Sequence, residues 1–82
     1  MMKIKDFAVR DIYVPVKRRA ALDAAKVRTI AESVMERGQD TPILVREDGG
    51  RFVLVEGLHR LEACRSLGEE TIKGYLVQAR RH

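Results

Sequence analysis

Apolar residues in the second quarter of the chain recur with the spacing of one helix face, at positions i, i+3, i+4 and i+7. These residues are Val27, Ile30, Ala31 and Val34. Asp23 carries the short, oxygen-bearing side chain that favours an N-cap, and Gly38 is typical of a C-cap. The pattern predicts an amphipathic helix that begins after Asp23 and ends at Gly38.

Four short runs of apolar and β-branched residues predict strands. They are Ile12–Val16, Pro42–Glu47, Arg51–Glu56 and Thr71–Gln78. The tripeptide Asp48-Gly49-Gly50 joins the second run to the third and is the strongest hairpin signal in the chain. Because the middle of both hairpin strands is almost entirely apolar, we expect them to be covered on both faces, with helices against the sheet.

A second helical stripe follows the hairpin and ends at Gly68. Its apolar positions are Leu58, Leu61, Cys64 and Leu67. The order strand, helix, strand, strand, helix, strand predicts a small α/β (α+β) fold, in which a mixed sheet of about four strands packs against two main helices. We expect a single domain over residues 1–82, with its core at about 12–77 between a basic N-terminal segment and a C-terminal tail.

The composition suits one small hydrophobic core. The 82 residues are 45% hydrophobic and 34% charged, and they include one cysteine, two tyrosines and two phenylalanines. A single cysteine leaves no internal disulfide, and no apolar run reaches the length of a membrane span or signal peptide, so we expect a cytoplasmic protein without a membrane partner. Cys64 has the spacing of a small buried hydrophobe, and so few aromatic residues disfavour base stacking as the main binding mode.

The net charge of +4 comes from the N-terminal part of the chain. Residues 1–19 hold six Lys or Arg against two Asp, while residues 20–82 hold ten of each sign. Lys17, Arg18 and Arg19 form a basic run that could meet the phosphates of a nucleotide or nucleic acid, or could be a solvated face. Without interleaved aromatic residues, we favour a solvated face or a helper to a phosphate pocket over a dedicated DNA reader.

The candidate chemistry lies where the third predicted strand turns into the second helix, at Gly57-Leu58-His59-Arg60. Gly57 lets the backbone approach a ligand, while the first helical turn offers unpaired N–H donors and the positive end of its dipole. Arg60 matches phosphate oxygens two at a time, whereas His59 is charged only if its surroundings favour the proton. The pattern predicts a phosphate site, although an ordinary helix start with a basic cap has the same spacing.

Several segments occur in a familiar order: Ile30–Val34 with Gly38, Pro42–Val45, the hairpin, Gly57–Ala63 and Leu67-Gly68. Together they resemble the N-terminal domain of the ParB/sulfiredoxin superfamily, over about Ile12 to Val77. The resemblance implies that Gly57, Leu58, His59 and Arg60 hold a nucleoside phosphate. It also implies that a loop faces the nucleotide from the other side, with the contacts Gly38, Gln39, Thr41 and Pro42. The implied ligand is CTP or ATP with Mg²⁺ bound through the nucleotide, and a nucleotide-dependent homodimer is a further implied partner.

The chemistry of this superfamily varies, so the fold does not determine the activity. ParB proteins use CTP with magnesium to clamp DNA, sulfiredoxins use ATP to repair overoxidised peroxiredoxin, and related enzymes phosphorylate free serine with ADP. Sulfiredoxins carry their catalytic cysteine directly before the His-Arg pair, where this chain has Leu58. Cys64 lies six residues further along the helix, about 9 Å away along its axis. Sulfiredoxin activity is therefore not expected.

ParB proteins place a glutamate and two arginines after the glycine, whereas this chain has Leu58, His59 and Arg60. The glutamate linked to CTP hydrolysis is missing. ParB proteins also continue into a helix-turn-helix DNA reader and a dimerisation domain. The 82-residue sequence contains neither, so a protein made of these residues alone is not expected to spread on DNA unaided.

Two classes of function remain open at the level of sequence. The first is a module that binds a nucleoside triphosphate or another phosphate ligand, in DNA-linked processes such as plasmid partition or transcriptional regulation. The second is an enzyme, either a nucleotide-dependent phosphotransferase or a ParB-like nuclease. Glu56 is the candidate catalytic carboxylate and Asp40 a weaker one, although Glu56 also suits an exposed strand end. No acidic and histidine cluster has the spacing of a two-metal site, which disfavours the nuclease.

Overall fold

The chain folds into a mixed five-stranded sheet, with two main helices and one short helix. A computed structural model describes residues 3–78. Its elements in chain order are β1 Ile4–Ala8, β2 Ile12–Tyr13, α1 Val16–Arg19, α2 Ala24–Arg37, β3 Ile43–Asp48, β4 Arg51–Glu56, α3 Leu58–Ser66 and β5 Thr71–Val77. The 3-10 turn Val9–Asp11 joins β1 to β2. The predicted C-terminal tail, residues 79–82, lies outside the described residues.

The strands lie in the order β1-β5-β3-β4-β2. The predicted hairpin is confirmed, because β3 and β4 pair antiparallel through Asp48 opposite Arg51, with a bulge between Leu44 and Val45. β5 runs parallel to β3, and β2 runs parallel to β4. β1 pairs antiparallel with β5 at the edge of the sheet. The predicted α/β fold with a mixed sheet is confirmed.

The N-terminal quarter differs from the prediction in two places. β1 was not predicted, because it is an edge strand in which apolar and charged residues do not alternate regularly and only Phe7 is buried. The predicted strand Ile12–Val16 is shorter than expected and ends at Tyr13. Pro15 is the N-cap of α1, so Val16 belongs to a helix, consistent with the preference of proline for helix starts.

The expectation that the hairpin strands are covered on both faces holds for the middle of β4 but not for β3. In β4, the consecutive residues Val53 and Leu54 are each 2% exposed, although their side chains point to opposite faces. In β3, Ile43 and Val45 are buried, whereas the alternate residues Leu44 and Arg46 remain partly exposed. The core lies on one face of the sheet, where α3 contributes residues to a cluster with the strands. An apolar run cannot distinguish a strand buried on both faces from one whose second face is only half covered.

Both predicted main helices form, with the predicted caps on α2. The Asp23 carboxylate accepts hydrogen bonds from the N–H groups of Ala25 at 2.9 Å and Lys26 at 3.4 Å. At the other end of α2, the Gly38 N–H donates to the Val34 carbonyl at 2.8 Å. α2 packs against α3, which in turn packs on the sheet. Within residues 3–78, no helix has both the length and the apolar surface needed to cross a membrane.

Candidate functional site

The predicted turn from strand to helix depends on a glycine. Gly57 adopts the left-handed conformation, with φ of 109° and ψ of 33°. A Cβ atom added there would lie 2.5 Å from Cγ2 of Ile43, a side chain that is itself only 1% exposed. Glycine is therefore required both by the backbone conformation and by the close approach of β3.

The helix begins directly after this turn. The Leu61 N–H donates to the Gly57 carbonyl at 2.9 Å, which is the first hydrogen bond of α3. The N–H groups of residues 58–60 precede that bond and have no partner within the helix. The start of α3 thus offers N–H donors and the positive end of a helix dipole to an anion that binds at this end of the helix.

A groove of about 460 Å³ lies between this turn and α2. It is lined by Arg18, Ala21, Lys26, Ile30 and residues 57–60. Three basic side chains from three helices therefore meet at one site, and the lining residues within 3–78 include no acidic side chain. Together with the start of α3, they make the groove electropositive.

Lys26 is a groove residue that the sequence reasoning missed. It stands in the first turn of α2, four residues before Ile30, so the two side chains share one side of the helix. The helical spacing could have indicated this position, because Ile30 belongs to the stripe that faces the protein. A charged residue next to an apolar stripe is usually solvated, so the pattern alone does not indicate that Lys26 lines a groove.

His59 connects the two main helices. Its Nε2 atom accepts a hydrogen bond of 3.0 Å from the backbone N–H of Asp23. Because Nε2 needs a free lone pair for this bond, the proton of the neutral ring is on Nδ1. His59 therefore uses one ring nitrogen to hold the start of α2, the turn that carries Lys26, and its Nδ1–H takes no part in that bond.

Arg60 is a largely buried cation with an incomplete set of partners. Its side chain is 16% exposed, and its Nη1 atom lies 3.7 Å from Oδ1 of Asp40. That distance permits an ion pair but is too long for a hydrogen bond, and Nη1 has no hydrogen-bond partner within residues 3–78. A buried guanidinium N–H without an acceptor is costly, so an added anion would be favoured here.

The facing loop, residues 38–42, is engaged differently. The Gln39 amide nitrogen donates to Oε1 of Glu69 at 3.2 Å and to the Thr71 carbonyl at 2.9 Å, and its oxygen accepts from the Lys73 N–H at 2.9 Å. Gln39 therefore attaches the loop to β5. The residues that line the groove do not include Gly38, Gln39, Thr41 or Pro42.

Asp40 is the loop residue that reaches the turn. Its Oδ1 atom approaches Arg60 and also accepts a hydrogen bond of 3.3 Å from the Thr41 hydroxyl. The nucleotide contacts expected of Gly38, Gln39, Thr41 and Pro42 remain a prediction, since the side-chain contact between this loop and the turn is made by Asp40.

The other candidate residues are spread around the groove. Glu56 is exposed at the end of β4, directly before Gly57. In the basic run, Arg18 lines the groove, Arg19 lines a neighbouring cleft, and Lys17 lines neither of these two. Within the described part of the chain, no group of three or more His, Cys, Asp or Glu side chains could hold a metal ion.

The described residues offer no thiol at the site. Leu58 fills the position before His59 and is 8% exposed, while Cys64 is fully buried in the core. Burial raises the pKa of the Cys64 thiol, the Glu69 carboxylate raises it further, and Arg60 partly opposes both. The prediction of Cys64 as a small buried hydrophobe is confirmed.

The amino-acid sequence of this chain is similar to those of known proteins. A family model described as "ParB N-terminal domain" matches residues 2–82. A probable chromosome-partitioning protein ParB of Campylobacter jejuni is 30% identical over 63 residues, which cover 77% of this chain and 23% of that protein. The chloroplastic/mitochondrial sulfiredoxin of Arabidopsis thaliana is 33% identical over 70 residues, which cover 85% of this chain and 56% of that protein. The chain thus spans less than two thirds of the length of either relative.

Solved structures share the fold. The crystal structure of Arabidopsis thaliana sulfiredoxin has a TM-score of 0.84 and 30% identity, over 94% of this chain and 86% of that one. A truncated ParB from Caulobacter crescentus in complex with CTP-γ-S has a TM-score of 0.77 and 20% identity, over 98% and 46%. A mutant free serine kinase in complex with ADP has a TM-score of 0.77 and 18% identity, over 90% and 30%. At these identities, the last two show a common fold only.

Proposed function

The chain belongs to the ParB N-terminal domain family, and from that premise we propose that it binds a nucleoside triphosphate, or another phosphate ligand, at residues 57–60. One observation carries the proposal: the buried guanidinium of Arg60 has an Nη1 atom without a hydrogen-bond partner within residues 3–78, beside the free N–H groups of a helix start. Both kinds of donor hold phosphate groups in proteins.

Different residues of the groove would make different contacts with the phosphate ligand. Arg60 would hold phosphate oxygens through its planar fork, exchanging the long contact with Asp40 for shorter charged hydrogen bonds. The backbone N–H groups of residues 58–60 and the Nδ1–H of His59 would add donors from the same turn. Lys26 and Arg18 would balance the remaining negative charge from the opposite wall.

The ligand is proposed to be CTP or ATP. Support comes from the shared fold of a ParB solved with CTP-γ-S and a serine kinase solved with ADP. Among the described residues, the groove offers phosphate donors but no carboxylate, so Mg²⁺ would enter bound to the nucleotide rather than to a protein site. Magnesium there would neutralise phosphate charge and fix the conformation of the triphosphate.

The proposed setting is a DNA-linked process, such as partition or transcriptional regulation. It is supported by the relationship to a chromosome-partitioning protein and by the basic run Lys17–Arg19 on exposed α1. We call the groove at residues 57–60 and α2 the phosphate groove. Lys17 and Arg19 do not line it, so they remain available for nucleic-acid phosphates. A cytoplasmic location and a nucleotide-dependent homodimer are further parts of the proposal.

A phosphotransferase is the second candidate. The observation that favours it is the position of Glu56, an exposed carboxylate directly before the phosphate turn. Such a group could accept a proton from an acceptor hydroxyl held near the terminal phosphate. Loss of turnover in Glu56→Gln with unchanged nucleotide affinity would support this role, whereas equal turnover in both proteins would exclude it.

The test of binding is a thermal-shift panel with CTP, ATP, ADP and GTP, each with magnesium. A ligand at about a hundred times its Kd adds roughly 2.7 kcal/mol to the free energy of unfolding. We expect a shift with at least one nucleotide, its loss in Arg60→Ala, and its retention in Arg28→Ala. The last variant is a matched control, because Arg28 is an exposed arginine of α2 that does not line the groove. No shift with any nucleotide, or equal shifts in all three proteins, would overturn the proposal.

A further inference from the structure

A second cleft lies on the other side of Leu58 from the phosphate groove. It has a volume of about 560 Å³ and draws its residues from the 3-10 turn, β2, the α1 region, β4 and α3. We call it the arginine cleft, after the arginines on its rim: Arg10, Arg19, Arg51 and Arg65. Among residues 3–78, Leu58 alone lines both the arginine cleft and the phosphate groove. The proposed nucleotide binding uses none of the four arginines, and only Arg19 also belongs to the basic run Lys17–Arg19 that is proposed to meet nucleic-acid phosphates.

The floor of the arginine cleft is apolar. Ile12 and Val14 are each 4% exposed, and Leu58 is 8% exposed, so all three are fixed in the core beneath the cleft. Leu22, which is 45% exposed, extends this apolar surface toward α2. A ligand in the cleft would remove from water mainly the exposed apolar surface of Leu22, since the other three side chains are already buried.

The rim carries more positive than negative charge. Four arginines face two carboxylates, those of Asp11 and Glu62. Glu62 is engaged, because its Oε2 atom accepts a hydrogen bond of 3.3 Å from Nε of Arg65. Within residues 3–78, Arg10 and Arg19 have no carboxylate within ion-pair distance. The rim therefore has guanidinium groups whose charge is not paired inside the described part of the protein.

Arg51 is held in place by an aromatic ring. Its guanidinium carbon lies 4.0 Å from the centroid of the Tyr13 ring, in a cation–π contact. This contact uses the face of the guanidinium and leaves its N–H edge free for an oxyanion. Because the side chain is already restrained, binding through that edge would cost less conformational entropy than binding to a free arginine.

We propose that the arginine cleft binds a small organic anion, with an apolar body on the floor and a carboxylate or phosphate group at the rim. The volume lies within the range of about 300–1,000 Å³ that is typical of small-molecule sites. A nucleic-acid backbone fits less well, because its phosphates would leave the exposed apolar surface of Leu22 uncovered. The proposal rests on the side chains of this cleft and does not require nucleotide binding next to it.

The test is an NMR titration of the ¹⁵N-labelled protein with four probes that separate the two parts of the ligand. Phenyl phosphate and phenylacetate combine an apolar ring with an oxyanion, inorganic phosphate has only the oxyanion, and benzyl alcohol has only the ring. We expect the two combined probes to give saturable shifts at Tyr13, Arg51 and Glu62 at concentrations up to about 10 mM. Inorganic phosphate alone and benzyl alcohol alone should give no saturable shifts at these amides. Phenyl phosphate binding tighter than phenylacetate would identify a phosphate ligand, and the reverse order a carboxylate.

Two matched variants complete the experiment. Arg51→Gln should weaken the combined probes by about tenfold, the effect of losing one charged hydrogen bond. Arg28→Gln should leave the affinity unchanged. Thermal unfolding of each variant separates a folding defect from a loss of binding.

The outcomes distinguish this proposal from the phosphate site. Shifts at Gly57, His59 and Arg60 report the phosphate groove, and shifts at Tyr13, Arg51 and Glu62 report the arginine cleft. Failure of the combined probes to saturate the second set overturns the proposal, whatever happens at the first set. Equal saturation by inorganic phosphate, or equal affinity in Arg51→Gln, overturns it as well.

Discussion

The turn at residues 57–60 and the loop at residues 38–42 were both expected to contact the ligand, but their polar groups are used differently. Arg60 in the turn is largely buried and has an Nη1 atom without a hydrogen-bond partner within residues 3–78, and three N–H groups at the start of α3 precede the first hydrogen bond of that helix. In the loop, Gln39 makes three hydrogen bonds to Glu69, Thr71 and Lys73. The turn therefore has N–H donors without a partner among the described residues, whereas the Gln39 side chain in the loop already forms hydrogen bonds within the protein.

The same comparison separates two kinds of structural requirement. The turn needs a glycine because β3 passes within contact distance of Gly57. At the loop, a Cβ atom added to Gly38 would have no neighbour within 4 Å among the described residues. The turn is thus defined by packing, while the loop is held by hydrogen bonds, and variants at the two places should fail in different ways.

The largest expected effect is on stability, in Gly57→Ala. The new Cβ atom would strain a left-handed backbone and overlap Ile43, at a cost of about 3–5 kcal/mol in the free energy of unfolding. Gly68→Ala is the matched control, because its φ is also positive at 77° but the space around it is open. That control should cost about 1–2 kcal/mol. Urea denaturation measures both, and equal losses would contradict the packing argument.

Gln39→Ala should have a smaller effect, and on stability alone. It removes two hydrogen bonds that join the loop to β5 and one to the Glu69 side chain, at an expected cost of about 1–2 kcal/mol in the free energy of unfolding. Nucleotide affinity should stay within about threefold of the original, a change below about 1 kcal/mol. Chemical denaturation and a binding titration on the same variant check both numbers. Weaker nucleotide binding at unchanged stability would instead support the direct contact expected from the resemblance.

The smallest effect concerns the link between the two helices. His59→Ala removes the acceptor for the Asp23 N–H, and we expect a loss of about 1 kcal/mol in the free energy of unfolding. His59→Gln, whose amide oxygen can reach the same donor, should recover part of that loss. The ¹⁵N chemical shifts of the imidazole should place the proton on Nδ1 in the ligand-free protein at neutral pH. A proton on Nε2 would show that the bond to Asp23 is absent in solution.

Local patterns predicted the parts of the fold that depend on near neighbours in sequence. The hairpin around Gly49, the helix capped by Asp23 and the turn at Gly57 all carry their signals within a few residues. β1 gave no such signal, because an edge strand that buries only Phe7 is stabilised by pairing with β5. That pairing joins residues more than sixty positions apart and leaves no periodic trace in the sequence.

The candidate site also combines features that sequence neighbours indicate with contacts between residues far apart in the sequence. Arg60 and the helix start could be inferred from the motif, because the chemistry of a glycine turn is local. The bond between His59 and Asp23 joins residues 36 positions apart, and the bonds of Gln39 span 30 to 34 positions. Contacts of that range are set by the packing of the helices and sheet, so sequence reasoning assigned both side chains to the ligand.

Calorimetric titration tests directly whether the turn at residues 57–60 binds phosphate. The best nucleotide from the thermal-shift panel is titrated, with magnesium, into the original protein, Arg60→Ala and Gln39→Ala. We expect Arg60→Ala to weaken binding about a hundredfold, because charged hydrogen bonds to phosphate are lost, while Gln39→Ala changes it by less than about threefold. Original affinity in Arg60→Ala, or equal losses in the two variants, would contradict the claim that the turn at residues 57–60 is the phosphate site.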